Sequence, residues 1–187
     1  SRRMKHYKNG SGTFRMNVAL KELPTFTCLQ NQERATDDHL TGGIILGPTM
    51  AYLDKAYRDA REHGWSKEPI VEMLIPTTLD DSLAPKGQHV ASLFCQHFDP
   101  DVNWDKHREE AADVIIGLVE KFAPGFKASI LGRQILSPMD LEQIFGLTRG
   151  DIMHGHLSLD QMFSARPLLG HGNYRSPIKG LYMCGSG

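Results

Sequence analysis

Thr13-Phe14-Arg15-Met16-Asn17-Val18-Ala19-Leu20 puts an apolar side chain at every second position, with polar or small residues between. That is the period of a strand buried on one face, so the spacing predicts β structure over residues 13–20. Residues 21–42 mix Pro, Gln, Asn, Asp and Thr without periodicity and predict a surface insertion. After the short strand signal Gly42-Gly43-Ile44-Ile45-Leu46, Pro48 suits the first turn of a helix over residues 48–63 that stops at Gly64. Asp54/Arg58, Lys55/Asp59 and Arg58/Glu62 are spaced to pair along its exposed face.

Residues 69–75 and 88–98 are rich in Val, Ile, Leu and Phe, and the segment between them holds Asp80-Asp81, two prolines and a glycine. They read as two antiparallel strands. Asn103 is placed to cap a helix over residues 104–122, whose apolar stripe is Ala111, Ile115, Leu118 and Phe122 and which Pro124-Gly125 ends. Residues 126–136 read as a strand carrying Arg133 as an edge charge. Ser137-Pro138-Met139-Asp140 supplies an N-cap, a first-turn proline and an acid at the third position, with Gly146 closing that helix. Ser158-Leu159-Asp160-Gln161 repeats the pattern, with Pro167 as its limit, and residues 179–184 form a last strand. The order predicts an α+β fold, a mixed and largely antiparallel sheet with helices on one face. No internal repeat and no Gly/Ser or Pro linker divides the chain.

The chain has 187 residues, 40% hydrophobic and 23% charged, with a net charge of −1. Such a balance gives no electrostatic case for nucleic-acid binding, which needs a Lys/Arg excess. The basic cluster Ser1-Arg2-Arg3-Met4-Lys5-His6-Tyr7-Lys8 reads as a solvated lead-in. Cys28, Cys95 and Cys184 are odd in number and far apart, which fits a reducing compartment and leaves neither a redox pair nor a zinc set. No apolar run reaches the roughly 18 residues of a membrane span, and the first residues lack the apolar core of a signal peptide.

Chemistry concentrates at the end of the sequence. Gly180-Leu181-Tyr182-Met183-Cys184-Gly185-Ser186-Gly187 runs from a strand signal into a glycine turn. Without a Cβ, backbone N–H groups can approach a phosphate or flavin closely. The same letters also make a plain turn. His154 and His156 would share one face of a strand, as a metal site needs, but no acidic or sulphur partner lies at ligand spacing, so the expectation is no metal. Pocket-lining or solvent-facing histidines remain the readings. Tyr174 and Arg175 fall in a Gly/Asn/Ser/Pro-rich loop, either an ordinary surface loop or the wall of a pocket. Cys184 is expected to be a buried, small apolar residue.

A series of blocks resembles the FAD-dependent oxidoreductases of the phytoene-desaturase/amine-oxidase type. It runs from residues 11–24 through Ala123-Pro124-Gly125-Phe126, residues 138–147 and residues 154–163 to Arg166-Pro167, Tyr174-Arg175-Ser176-Pro177 and residues 180–187. Within that family the chain most resembles the branch named pyridine nucleotide-disulphide oxidoreductase domain-containing protein 2. The resemblance implies that residues 1–178 are a substrate-binding domain and that residues 179–187 begin a C-terminal FAD-binding segment. The N-terminal Rossmann-type FAD unit would lie outside the chain.

The implied cofactor is non-covalent FAD, contacted by Cys184, Gly185, Ser186 and Gly187, with His154, Tyr174 and Arg175 as flavin or substrate pocket residues. The implied reaction is hydride transfer from an apolar organic small molecule to flavin. A non-enzymatic regulator keeping the fold and a flavin-dependent isomerase are the alternatives. Homo-oligomerisation is compatible with the resemblance, and the location would be cytoplasmic in a bacterial member and mitochondrial in an animal one. Two features depart from the pattern. No Gly-x-Gly-x-x-Gly occurs between a strand and a helix, and no cysteine pair supports a dithiol reaction.

Overall fold

The computed structural model of the chain describes residues 2–29 and 37–185. Five strands, β1 (Phe14–Leu20), β2 (Ile44–Leu46), β3 (Trp65–Leu74), β4 (His89–Phe98) and β5 (Ile130–Leu136), form one sheet in the order β2-β3-β4-β1-β5. The helices are α1 (Met50–His63), α2 (Trp104–Phe122), the single turn α3 (Phe126–Ser129) and α4 (Pro138–Phe145). The α+β class is as expected. The sheet is not mixed, however: every strand pairing among the described residues is antiparallel.

The alternation in β1 sets the layers. Phe14, Met16, Val18 and Leu20 are at most 1% exposed, and the register puts Met16 opposite Leu93 on one side and Ile135 on the other. Their shared face continues through Val71, Met73, Ala91 and Cys95, and α2 covers it with Ala111, Ile115, Leu118 and Val119. Each of the larger side chains, Val, Leu, Ile, Met or Phe, contributes about 1.5–3 kcal/mol by leaving water. Trp104 closes one end of this core. Its ring lies 5.6 Å from Phe14 and 5.9 Å from Phe98, and its Nε1 donates to the Asp99 carbonyl at 3.0 Å. Asn103 caps α2 as the sequence suggested, accepting from the Lys106 N–H at 3.3 Å.

Several boundaries differ for local reasons. α1 begins at Met50, since Thr49 takes the cap and accepts from the Tyr52 N–H at 3.1 Å, leaving Pro48 outside the helix. Lys55–Asp59 (2.6 Å) and Arg58–Asp54 pair as spaced. β3 starts at Trp65 rather than residue 69, because the pairing Trp65 with Phe98 resumes at Ile70 with Gln96 after a bulge that holds Pro69. A bulge is where a strand tolerates a residue without an N–H. Residues 126–136 are not one strand. The Glu120 carboxylate accepts from the N–H groups of Gly125 (2.9 Å) and Lys127 (2.7 Å), winding α3 before β5 begins.

The segment expected to be a surface insertion sends Phe26 (5% exposed) and Leu40 (2%) into the core. Around residues 158–167 only two three-residue turns form, Leu159–Gln161 and Phe163–Ala165, and the Ser158 hydroxyl makes no cap bond. The strand expected over residues 179–184 is reduced to one antiparallel bridge, Arg175 with Tyr182. No helix among the described residues is long and apolar enough to cross a membrane.

Candidate functional site

The sheet face opposite α2 carries Arg15, Asn17 and Ala19 from β1, Ser92 and Phe94 from β4 and Glu72 from β3, all half-buried. Arg15 donates to the Ser92 hydroxyl at 3.0 Å and its guanidinium stands 5.6 Å from the centre of the Phe94 ring. Asn17 donates to Gln134 at 3.2 Å. A polar row tied to itself in this way, with aromatic and aliphatic members, is a surface suited to an amphiphilic neighbour.

At one end of that face the chain builds a cavity of about 310 Å³ lined by Gly10, Ser11, Thr13, Tyr57, Phe94, Gln96, His97, Met153, Gly155, His156 and Leu157. Four segments meet there: the entry to β1, α1, the end of β4 and the loop after α4. A second cavity, about 320 Å³, adjoins it and is lined by Met4, Tyr7, Asn9, Gly146, Leu147, Thr148, Asp151 and His154. The loop holding His154 and His156 separates the two.

Hydrogen bonding to the N-terminal segment holds this loop. Asp151, 1% exposed, accepts from the N–H groups of Gly10 (2.7 Å) and Met153 (2.9 Å). The Ser11 hydroxyl accepts from the Ile152 N–H at 3.2 Å, and the His156 N–H donates to the Lys8 carbonyl at 2.9 Å. Gln161, 6% exposed, bonds both backbone groups of Lys8, accepting at 2.6 Å and donating at 2.9 Å. Arg149 clamps Asp101 through both nitrogens at 2.7 and 2.8 Å. A buried polar group is tolerated only when paired in this way. Gly150 has φ +66°, and a Cβ on it would lie 2.5 Å from the Pro138 carbonyl oxygen, so only glycine lets the loop cross the start of α4.

The described lining of the first cavity carries no charged side chain. Lys8 pairs with Asp160 at 2.7 Å and, with Ser158, draws its carboxyl down to about 2. Inside, burial lowers the His97 pKa from its ordinary value, favouring the neutral ring, and pushes the neighbouring Cys95 thiol far up. The His97 ring stands edge-on to Tyr57, 5.3 Å between centres.

Of the residues singled out from the sequence, His154 lines the second cavity and His156 the first, both exposed, at a turn in which His154 has φ +56° rather than on a strand. Tyr174 and Arg175 lie elsewhere, in an exposed hairpin where the Met183 N–H donates to the Tyr174 carbonyl at 2.9 Å. That hairpin brings them to the segment of Cys184 and Gly185 but not to the cavities. Cys184 is exposed, contrary to the expectation of burial, because no strand forms to carry it into a core. Gly185 is exposed, and no atom lies within 4 Å of where its Cβ would be. Ser186 and Gly187 lie outside the described residues.

The sequence reading passed over His97, Gln96, Tyr57, Ser11 and Thr13. The one local signal was the polar pair Gln96-His97 interrupting the apolar run of β4 just before Phe98.

The whole chain is 40% identical over 193 residues to the pyridine nucleotide-disulfide oxidoreductase domain-containing protein 2 of Rattus norvegicus, covering 33% of it. It is 38% identical over 193 residues to the Mus musculus protein of the same name, again 100% of this chain and 33% of that one. Over 135 residues it is 30% identical to the chloroplastic prolycopene isomerase of Daucus carota, which covers 66% of this chain and 21% of the carrot protein. No family model matches the chain. The chain thus spans about a third of the length of the rat and mouse relatives, whose names support an oxidoreductase family.

Proposed function

We propose that this chain is the substrate-side part of an FAD-dependent oxidoreductase of the phytoene-desaturase type, and that the intact protein removes hydride equivalents from an apolar organic small molecule. The similarity of the entire chain to relatives named as oxidoreductases carries the reading. A sheet with one face packed by α2 and the other half-buried, ending in a cavity, supports it. On this reading residues 1–178 form the substrate-binding part and residues 179–187 begin the return to the cofactor. Cys184, Gly185, Ser186 and Gly187 would contact FAD, and His154, Tyr174 and Arg175 would stand at the wall of the flavin or substrate pocket.

FAD, held without a covalent link, would accept the hydride through its isoalloxazine ring. The chain's own residues orient the substrate along the Phe94 face, exclude water from the cavity, and hold neutral hydrogen-bonding groups at its wall. The experiment compares the full-length protein with the 187-residue chain. Full-length protein should show stoichiometric flavin absorbance that bleaches anaerobically with substrate, and the short chain should hold flavin poorly. Full-length protein without flavin after reconstitution, or a short chain that binds FAD stoichiometrically at micromolar concentration, overturns the reading.

The similarity to prolycopene isomerase favours a second reading, flavin-dependent isomerisation. It predicts a product of unchanged mass and no net consumption of an electron acceptor.

A further inference from the structure

Among the described residues, the wall of the cavity between β1, β4 and the His154–Gly155–His156 turn contains no Lys, Arg, Asp or Glu. Its polar groups are hydroxyls, an amide and two imidazoles, set among Phe94, Tyr57, Met153 and Leu157. Charges nearby are held from outside the wall: Asp59 accepts from Lys55 and Ser66 (2.6 and 2.8 Å), Asp151 from two backbone N–H groups, Arg15 donates to the Ser92 hydroxyl (3.0 Å), and Arg166 donates to the carbonyls of Met153 and Gly155. The ring nitrogens of His97 make no hydrogen bond to any described residue, and neither does the Gln96 amide. A neutral imidazole has one donor and one acceptor nitrogen.

We infer that this cavity is a binding site for an uncharged oxygen function, a hydroxyl or a ketone on an apolar body, and that His97 is the group that hydrogen-bonds it. The site takes neutral ligands because a carboxylate or ammonium placed here gives up hydration and meets no opposite charge among the described lining side chains. An alkane is also accepted, but more weakly, since it leaves the His97 and Gln96 polar atoms unpaired. Its volume, about 310 Å³, is at the small end of ligand sites and takes a chain of medium length or one ring system. The assignment names the substrate chemistry of the pocket in the oxidoreductase reading and rests on that reading for its catalytic meaning.

The experiment measures binding of octanol, octanone, octane, octanoate and octylammonium to the 187-residue chain near neutral pH, by calorimetry and by the imidazole resonances of His97. Octanol and octanone should bind and shift those resonances, with octanoate and octylammonium at least about tenfold weaker. In His97→Phe the preference of octanol over octane should fall to near unity, and in His97→Gln it should persist in part. Octanoate or octylammonium binding as tightly as octanol, no octanol binding at all, or an unchanged preference in His97→Phe overturns the inference. If His97→Phe does not fold, the comparison of charged and neutral probes on the unaltered chain decides. Flavin plays no part in this readout, so failure of the redox reading would appear separately, as intact neutral-ligand binding without flavin reduction in the full-length protein.

Discussion

Gly150→Ala and Gly146→Ala form a matched pair that isolates the contact on which the His154 loop depends. Both glycines have left-handed backbone, φ +66° and +70°. An alanine in that region costs about 1–2 kcal/mol at either position. They differ in what a Cβ meets. At Gly146 nothing lies within 4 Å, whereas at Gly150 it would be 2.5 Å from the Pro138 carbonyl oxygen and 2.7 Å from the Pro138 Cα. Those are backbone atoms at the first turn of α4, held by the Ser137–Asp140 capping box, so they cannot rotate away as a side chain would. Forcing the two segments apart adds about 1–3 kcal/mol by the scale of overpacked sites. Gly146→Ala should therefore lower stability by about 1 kcal/mol and Gly150→Ala by about 3 kcal/mol or more. For a chain of this size the Tm shifts should be about 2–4 °C and about 6–12 °C. Thermal melts followed by circular dichroism, with urea midpoints as a check, measure both. Equal shifts would show that the loop does not cross α4 as closely as described and would refute the reasoning.

Trp104→Ala empties the ring cluster with Phe14, Phe98 and Trp65 and removes one of the two hydrogen bonds to the Asp99 carbonyl, so it should cost about 3–5 kcal/mol in chemical denaturation. Gln161→Leu keeps the volume but removes the acceptor of the Lys8 N–H and one of the two hydrogen bonds to the Lys8 carbonyl, that from His156 remaining; a loss of about 1–3 kcal/mol, with faster amide exchange at Lys8 and His156, is expected. Burial lowers the His97 pKa, so on acidification the unfolded chain takes up this proton first. That contribution to stability is complete above about pH 6.5 and is lost as pH falls through the lowered value. His97→Phe should remove that slope from a plot of urea midpoint against pH. For Asp140, burial acts to raise the pKa, but hydrogen bonds from Arg108 and Ser137 outweigh it and the net shift is downward. Its contribution is present above the ordinary carboxylate range and lost as pH drops through the depressed value. Ser137→Ala should move this acid limb to higher pH.

What could be read from the sequence was local. Asn103, the stripe through Ala111, Ile115 and Leu118, and Pro124 lie within one segment, so the start and end of α2 follow from neighbours alone. The alternation in β1 likewise identifies its buried face without knowledge of its partners. Phe26 and Leu40 were illegible because neither belongs to a period; each is a single apolar residue in a polar stretch, buried by contacts with distant residues. The cavity was illegible for the same reason. Ser11, Tyr57, His97 and His156 come from four separate segments, and nothing in any one of them marks the others.

Two stretches with the same capping pattern show where local inference stops. At Ser137-Pro138-Met139-Asp140 the Asp140 carboxylate turns back to the Ser137 N–H at 2.8 Å, the Ser137 hydroxyl accepts from the Asp140 N–H at 3.3 Å, and α4 follows. At Ser158-Leu159-Asp160-Gln161 the residue in the same position is Gln161, and its amide faces Lys8, 153 positions away along the chain. A short carboxylate reaches only its own helix start, whereas the longer amide, with both a donor and an acceptor, satisfies an N–H and a carbonyl on another segment at once. Losing one local cap costs about 1 kcal/mol, whereas giving up Gln161 would cost the Lys8 N–H its partner and the Lys8 and His156 carbonyls one hydrogen bond each, which together is more. The tertiary contact therefore wins, the helix shrinks to a single turn, and the loop it would have extended is held against the N-terminal segment. The same Gln161 amide also donates to the His156 carbonyl, so the short turn and the docking of the His156 loop share one side chain. Gln161→Asp, which restores the local carboxylate and removes the long reach, should raise helicity around residues 158–166 in amide chemical shifts while loosening the loop and weakening octanol binding. Unchanged helicity there, with the loop intact, would separate the two.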